Sequence, residues 1–317
     1  MSLSEIYQKG IELLENKNLG LYLRGVETEF VLINNDEIFK WFKFRQQAIN
    51  SSEATTKTRL LDVDLEIPIV MSSITVPIPQ IQEYGLLKVA RALKEVGSMM
   101  SLGSSVDANV LKTLVEVGVP ILLTVKPFAD RNKLIQLITK AEAAGVNWIG
   151  VEVDAGQGTK LLDKRTIKDC APMSVEELKD IKQKVNRPLV LKGILSPWDA
   201  EKALEVGADV IVVSNHGAHT IDYLPHPLEV MDEIVNVIEG EIPIIVDGGF
   251  RRGTDVLKGL AFGAQAVGLG RPILYGLAVD GEEGVKTVIK EIGEELKRVM
   301  TMTGIKSPSH AHKGIIL

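Results

Sequence analysis

Eight short apolar runs rich in Val and Ile, each followed by a stretch of helical periodicity, predict an α/β protein, a TIM (β/α)8 barrel with an N-terminal helical extension. The length agrees, because 317 residues hold one barrel of about 250 residues with a modest addition. The strand candidates lie at 67–71, 98–102, 120–125, 148–153, 188–193, 210–213, 243–246 and 266–269. Helical patterns follow them at 83–96, 108–117, 131–144, 175–185, 197–206, 227–238, 253–262 and 281–302. Eight strands with eight crossovers close into a barrel.

Gly145, Gly207 and Gly263 each sit between a helix and the next strand, where a residue of positive φ ends a helix cheaply, so they read as punctuation. Ahead of the barrel, residues 2–15 show helical spacing at Ile6, Ile11, Leu13 and Leu14. Residues 36–50 show a second helical pattern at Ile38, Phe39, Phe42 and Ala48, and helices there are expected to plug the barrel bottom. The division is therefore 1–60 for an extension packed on the barrel and 61–317 for the barrel. Residues 155–174 form the longest connection, with Gly156, Gly158, Lys160, Lys164 and Arg165. Long loops after barrel strands are generally functional or mobile, so a lid is expected.

Hydrophobic residues make up 45%, charged residues 25% and aromatics 5%, which excludes disordered, collagenous and coiled-coil classes. With 36 Lys and Arg against 42 Asp and Glu, the net charge of -6 gives no general attraction to polyphosphate or an anionic membrane, so nucleic acid is not an expected partner. No apolar run approaches the roughly 20 residues of a membrane span, and 1–20 lacks the apolar centre of a signal peptide. The single cysteine, Cys170, permits neither an intrachain disulfide nor a Cys-rich zinc site, and a cytoplasmic protein is expected.

In such a barrel the strand C-termini face the active site. Four of them are chemically loaded: Glu152-Val153-Asp154, Leu191-Lys192-Gly193, Ser214-Asn215-His216-Gly217 and Asp247-Gly248-Gly249. A single Lys or His at a loop start is as often solvated as catalytic, but four such ends on one rim point to a site. The loops after strands seven and eight, Asp247 to Asp255 and Gly268 to Pro272, occupy the usual phosphate position of the barrel. Glycines let backbone N–H groups approach an anion there, and Arg251 and Arg271 complete the cradle with charge-assisted hydrogen bonds.

The runs Val212-Val213-Ser214-Asn215-His216-Gly217-Ala218, Asp247-Gly248-Gly249-Phe250-Arg251-Arg252-Gly253-Thr254-Asp255 and Gly270-Arg271-Pro272 resemble the signatures of the FMN-dependent α-hydroxy-acid oxidase and dehydrogenase family. Phe44-Arg45, Pro68-Ile69, Gly97-Ser98-Met99-Met100, Asp130-Arg131 and Gly281-Glu282 extend the likeness over most of the chain. The resemblance implies FMN, its phosphate against Gly249, Arg251, Gly270 and Arg271, with Asp247 near the ribityl chain and Gly248 in the same cofactor set. It places Lys192 at the flavin N1 and O2 edge, where a cation stabilises the reduced ring. Ser73, Ile74, Thr75 and Ser214 would line the isoalloxazine, with Ser104 and Thr124 in the same cofactor set. His216 matches the family's base and Asp154 the carboxylate that pairs with it and favours the imidazolium. Tetramers are the family's habit, and the electron acceptor is oxygen, a quinone or a carrier protein.

The substrate half departs from that pattern. The arginine that grips the substrate carboxylate is replaced by His219, which lacks the guanidinium fork. A glutamine and a tyrosine after strand three become Thr124 and Lys126, and a threonine of strand four becomes Glu152. A second substrate arginine falls near Lys160 and Leu161, with Lys164 and Arg165 close by, and an N-terminal tyrosine falls at Leu21, beside Tyr22. Lys126 and His219 are therefore the candidate substrate contacts, Lys126 supplying the missing positive charge. The expected activity is oxidation of the C2 hydroxyl of an L-lactate-like 2-hydroxy acid. The alternatives are an enzyme like type 2 isopentenyl diphosphate isomerase and a flavin-binding barrel with little turnover. No metal site is expected: His310 and His312 lie in the tail without a third ligand. Trp41, Phe42, Met99 and Met100 read as packing, and Cys170 as an ordinary thiol.

Overall fold

The computed structural model describes all 317 residues. Its barrel strands are β1 (Ile69–Met71), β2 (Met100–Gly103), β3 (Ile121–Val125), β4 (Trp148–Glu152), β5 (Leu189–Ile194), β6 (Val210–Val213), β7 (Ile244–Val246) and β8 (Ala266–Leu269). They pair in parallel in the order β1-β8-β7-β6-β5-β4-β3-β2. A parallel bridge between Val70 and Met99, just ahead of β2, closes the ring. The strands are buried, and apolar except at Ser101, Thr124, Glu152, Lys192 and their glycines, because both faces are covered, the inner by the packed lumen and the outer by helices.

Those outer helices are α3 (Gly85–Glu95), α4 (Ala108–Val117), α5 (Arg131–Ala144), α6 (Val175–Lys184), α7 (Pro197–Val206), α8 (Pro227–Ile238), α9 (Gly253–Ala261) and α10 (Arg271–Met302). Side chains cap several of them: Asp107, Asp130, Ser174 and Ser196 accept hydrogen bonds from first-turn N–H groups. Gly145, Gly207 and Gly263 do end helices with positive φ, at 94°, 77° and 107°. The last helix starts ten residues before the expected 281, because Arg271-Pro272 starts a helix directly after Gly270. Non-helical dihedrals at Asp280 and Gly281 break it, so the pattern from 281 is its second segment.

The N-terminal region brings two corrections. Helix α1 (Leu3–Asn16) forms and packs against α10, with Tyr7 and Tyr275 ring centroids 5.5 Å apart. The expected helix over 36–50 does not form. Helix α2 (Phe30–Glu37) precedes it, one 3-10 turn (Ile38–Lys40) follows, and the chain then runs on without a helix. Its backbone bonds go instead to the other end of the chain: Arg45 N–H to Ile315 O at 2.7 Å and Gln47 N–H to Met302 O at 2.9 Å. Phe39 packs edge-on to Phe250 and Phe42 to Phe262, so tertiary pairing overrides a local periodicity of apolar residues. Trp41, expected to pack, is 75% exposed.

The barrel bottom is plugged by a hairpin, Thr58–Leu60 with Val63–Leu65, and not by helices. Leu60, Val63 and Leu65 share a buried cluster with Trp148, Leu122, Val190 and Val210 from the lower strand ends. Trp148 Nε1 donates to Asp62 Oδ1 at 2.8 Å in the hairpin turn, giving the buried indole its one partner. The 155–174 connection carries its own short hairpin, Lys160–Leu161 with Lys164–Arg165, and bonds to the residues around it. Lys160 N–H donates to His219 O at 2.8 Å, Leu162 pairs with Val26, and Cys170 pairs with Phe128. No helix is long and apolar enough to cross a membrane.

Candidate active site

A cavity of about 500 Å³ opens at the C-terminal ends of the strands, under Thr159, Lys160, Leu161, Thr166 and Ile167 of the 155–174 segment. Strand β5 bulges beside it: the register against β6 shifts where Gly193 takes φ +95°. A side chain at Gly193 would lie 2.2 Å from Asp154 Cγ, so only glycine lets that carboxylate lean toward the lumen. Asp154 itself is turned inward by a 3-10 turn, Val153–Ala155, directly after β4.

His216 is presented by a run of left-handed residues, His216, Gly217 and Ala218, at φ +56°, +60° and +69°. Side chains hold this unfavourable backbone. Ser214 Oγ accepts from His216 N–H at 3.0 Å, and the amide of Asn215 exchanges hydrogen bonds with that of Asn35 at 2.7 and 3.2 Å. The imidazole that results sits with Nδ1 2.8 Å from Asp154 Oδ2 and Nε2 3.0 Å from Lys126 Nζ. A carboxylate accepts and an ammonium donates, so Nδ1 carries the hydrogen and Nε2 offers its lone pair to the cavity side. Lys192 Nζ lies 3.4 Å from Nδ1.

The site alternates charges. Lys126 pairs with Glu152, whose other oxygen accepts from Thr124 Oγ1 at 2.7 Å. Burial alone would push the Glu152 carboxyl up, but Lys126, His216 and Lys192 outweigh it and hold the group well below the usual carboxylate range. Asp154 is treated likewise by His216 and Lys192. Burial would lower the Lys192 ammonium, yet Asp154, Glu152 and Asp247 keep it above its ordinary value. For His219 burial dominates: its pKa falls well below the ordinary value, with Arg271 and His216 adding to the effect and only the hydrogen bond to Arg24 O working against it. It is a neutral ring donating from Nε2 to Arg24 O at 2.9 Å, so it forms cavity wall and not a cation for a carboxylate.

Of the sequence-derived residues, His216, Lys126, His219, Lys192, Ser73, Ile74, Thr75, Asp247, Gly248, Gly249, Arg251, Gly270 and Arg271 all line this one cavity. Asp154, Thr124 and Ser214 stand behind it, reaching it through hydrogen bonds to His216 or Glu152. Ser104 does not line it; the chain turns so that Gly103 and Ser105 do. Lys164 and Arg165 are exposed and outside the lining, while Lys160 lines it but pairs with Glu27 at 2.5 Å. Tyr22 lines the cavity and Leu21 does not. Glu152, which the sequence shows as part of a loaded strand end and as the replacement of a threonine, lines the cavity and pairs with Lys126.

The turn after β7 is shaped for an anion. Gly248 and Gly249 have φ +112° and +75°, and a Cβ on Gly249 would lie 2.0 Å from Asn35 O, so α2 presses directly on the turn. The N–H groups of Gly248, Gly249 and Gly270 have no acceptor in the protein. Arg251 pairs with Asp36 at 2.9 Å, and Arg271 donates to Gly217 O at 3.1 Å. Two buried polar atoms in the same cavity lack partners, Arg271 Nε and Asp247 Oδ1. Free N–H groups, an unpaired guanidinium nitrogen and an unpaired carboxylate oxygen fit a phosphate and a hydroxylated chain, so these residues fit FMN. The volume is also in the range of about 300–1,000 Å³ for such sites.

His226 braces that turn from below. Fully buried, it donates from Nε2 to Gly248 O at 2.9 Å and accepts from Leu228 N–H at Nδ1. Burial pushes its pKa down to about 4, below its unfolded value near 6.5. Its contribution to stability is therefore full above pH 6.5 and is lost as pH falls to about 4, for a total of about 3 kcal/mol. Urea unfolding of the holoprotein between pH 7 and 4.5 is expected to show a steeper acid loss in the wild type than in His226→Gln; parallel losses would contradict this assignment.

The sequence profile of the family described as FMN-dependent dehydrogenase matches residues 12–169 and 157–317. A 2-hydroxyacid oxidase of Dictyostelium discoideum is 32% identical, covering 100% of this chain and 90% of that protein. Glycolate oxidase 3 of Arabidopsis thaliana is 31% identical, covering 90% and 87%. Among solved structures, a protein assigned as a lactate oxidase of Pediococcus acidilactici superposes with a TM-score of 0.91 at 27% identity, over 100% of this chain and 94% of that one. A mandelate oxidase with (S)-2-phenylpropionate gives 0.90 at 27%, over 100% and 97%. With the barrel in place and the profile running from residue 12 to residue 317, the chain belongs to the FMN-dependent dehydrogenase family.

Proposed function

We propose that this protein oxidises the C2 hydroxyl of an L-lactate-like 2-hydroxy acid to the 2-oxo acid, with His216 as base. The observation that carries the reading is His216 anchored on Asp154 at Nδ1 with Nε2 turned toward the cavity. FMN, when bound, takes the two electrons. Gly249, Arg251, Gly270 and Arg271 would hold its phosphate, Asp247 and Gly248 its ribityl chain, and Ser73, Ile74, Thr75 and Lys192 its ring, with Thr124 and Ser214 supporting from behind. The base accepts a substrate proton at Nε2, and the buried Asp154 carboxylate stabilises the imidazolium so formed. Tyr22, Leu161 and Ile167 offer apolar surface to the rest of the substrate.

Lys126 is the proposed grip on the substrate carboxylate. Its ammonium has three donors; Glu152 and Nε2 of His216 occupy two, and a substrate hydroxyl that takes over Nε2 frees one more. Lys126→Ala is expected to raise KM for the 2-hydroxy acid at least about tenfold, equivalent to one lost charged hydrogen bond. An unchanged KM would remove Lys126 from this role. The oxidase names of the relatives support oxygen as acceptor; the single cysteine supports a cytoplasmic setting, and a homotetramer is proposed on family resemblance alone.

The test of the whole reading is anaerobic: the yellow holoprotein is mixed with L-lactate, glycolate and L-mandelate, and loss of visible absorbance is followed. Bleaching by one of them is expected; no bleaching by any would reject the activity.

A further inference from the structure

Beyond the Asp154–His216 pair, the strand ends hold a second carboxylate that faces the base. Glu152 Oε2 is 3.6 Å from Nε2 of His216 and pairs with the Lys126 ammonium that donates to the same nitrogen. Its other oxygen is fixed by Thr124 Oγ1, and its side chain is almost fully buried, so it has one place to be. His216 thus lies between two acids, Asp154 on Nδ1 and Glu152 on Nε2.

As it stands, Lys126 occupies the lone pair on which catalysis depends, so a substrate hydroxyl must displace it. After displacement the ammonium is still held by Glu152, and once Nε2 gains the substrate's proton, the nearest carboxylate to that new N–H is again Glu152. A cation beside a base disfavours its protonation, and an anion favours it. Glu152 cancels the first effect and supplies the second.

We propose that Glu152 is a positioning residue for the base: it holds Lys126 beside His216 in the resting site and faces the imidazolium after proton transfer. The inference rests on the reading of His216 as the base. In the step, the substrate O–H bond breaks and its proton goes to Nε2, while the C2–H bond breaks as the C=O bond forms; that hydrogen and its electron pair would go to FMN, when bound. The charged and titratable groups around the ring are Asp154 and Glu152 from the end of β4, Lys126 after β3, Lys192 on β5, His219 beyond β6 and Arg271 at the start of α10.

The experiment is an NMR titration of the histidine rings in the FMN-loaded protein, with the His216 signal assigned by its loss in His216→Gln. In Glu152→Gln, which leaves Lys126 unopposed, the His216 midpoint is expected to fall by about one pH unit or more. In Lys126→Met, which leaves Glu152 unopposed, it is expected to rise. The double variant Glu152→Gln/Lys126→Met is expected to return near the wild-type midpoint. The acid limb of the L-lactate reaction, read as the pH dependence of kcat/KM, should follow the same order. A role limited to structure would leave the midpoints of all folded, flavin-bound variants unmoved, and that result, or single variants shifting in the same direction, overturns the inference. Should Glu152→Gln not retain FMN, the upward shift in Lys126→Met still decides. Failure of every hydroxy acid to bleach the wild type would strike the parent reading, whereas bleaching with unmoved midpoints strikes only Glu152.

Discussion

Replacing His216 with Gln is expected to lower kcat on the bleaching 2-hydroxy acid on the order of 10²- to 10⁴-fold while leaving the flavin spectrum unchanged. Gln keeps a polar group near Asp154 and Lys126, so the Asn215–Asn35 amide pair and the Ser214 bond to the backbone N–H should still hold the left-handed turn. What it lacks is a nitrogen that can take a full proton. Stopped-flow reduction under argon reads the chemical step directly. Activity within a fewfold of wild type would mean that this protein is not a His216-dependent catalyst. It would also separate catalysis from flavin storage, which needs no base.

Gly249→Ala is expected to cost the protein its flavin. At φ +75° an alanine adopts a disfavoured backbone, at about 1–2 kcal/mol, and its Cβ would stand 2.0 Å from the carbonyl oxygen of Asn35. Backbone cannot swing aside as a flexible side chain would, so either the turn or α2 must shift. Either movement displaces unpartnered N–H groups from the anion they are arranged for. Together these effects predict FMN affinity reduced by about 100-fold or more, since each 1.4 kcal/mol is tenfold. Titration of apoprotein with FMN, followed by flavin fluorescence, gives the value. Circular dichroism checks that the barrel persists. Unchanged affinity would place the phosphate elsewhere.

The strands and the ring of helices were legible because each βα unit announces itself locally: an apolar run, a capping residue, an amphipathic stretch, a glycine stop. The helices from Ala108, Arg131, Pro197 and Pro227 begin and end where their patterns do. Segments 36–50 and 58–65 were not legible, because their partners lie far away in the chain. Phe42 belongs to Phe262, Arg45 to Ile315, and Leu60 to the lower lumen beside Trp148. In the site, most residues expected to hold the cofactor fall in short runs that line one cavity; Thr124 and Ser214 stand behind it, and Gly103 and Ser105 line it in place of Ser104. The substrate half is scattered over the ends of three strands and the N-terminal region. The sequence gives Lys126 and Glu152 as two separate departures from a pattern; only the barrel, by setting adjacent strands side by side, makes them a pair.

The cradle joins distant parts of the polypeptide. Asn35 bonds to Asn215, 180 residues away, and Thr28 to Asp222, 194 away. Such contacts close large loops and are slow to form. A ribosome releases α2 long before the turn that it braces, so during synthesis the early segment has nothing to dock on. The cradle is therefore complete only once both ends of these loops have been made and have met, so flavin capture belongs to the finished barrel.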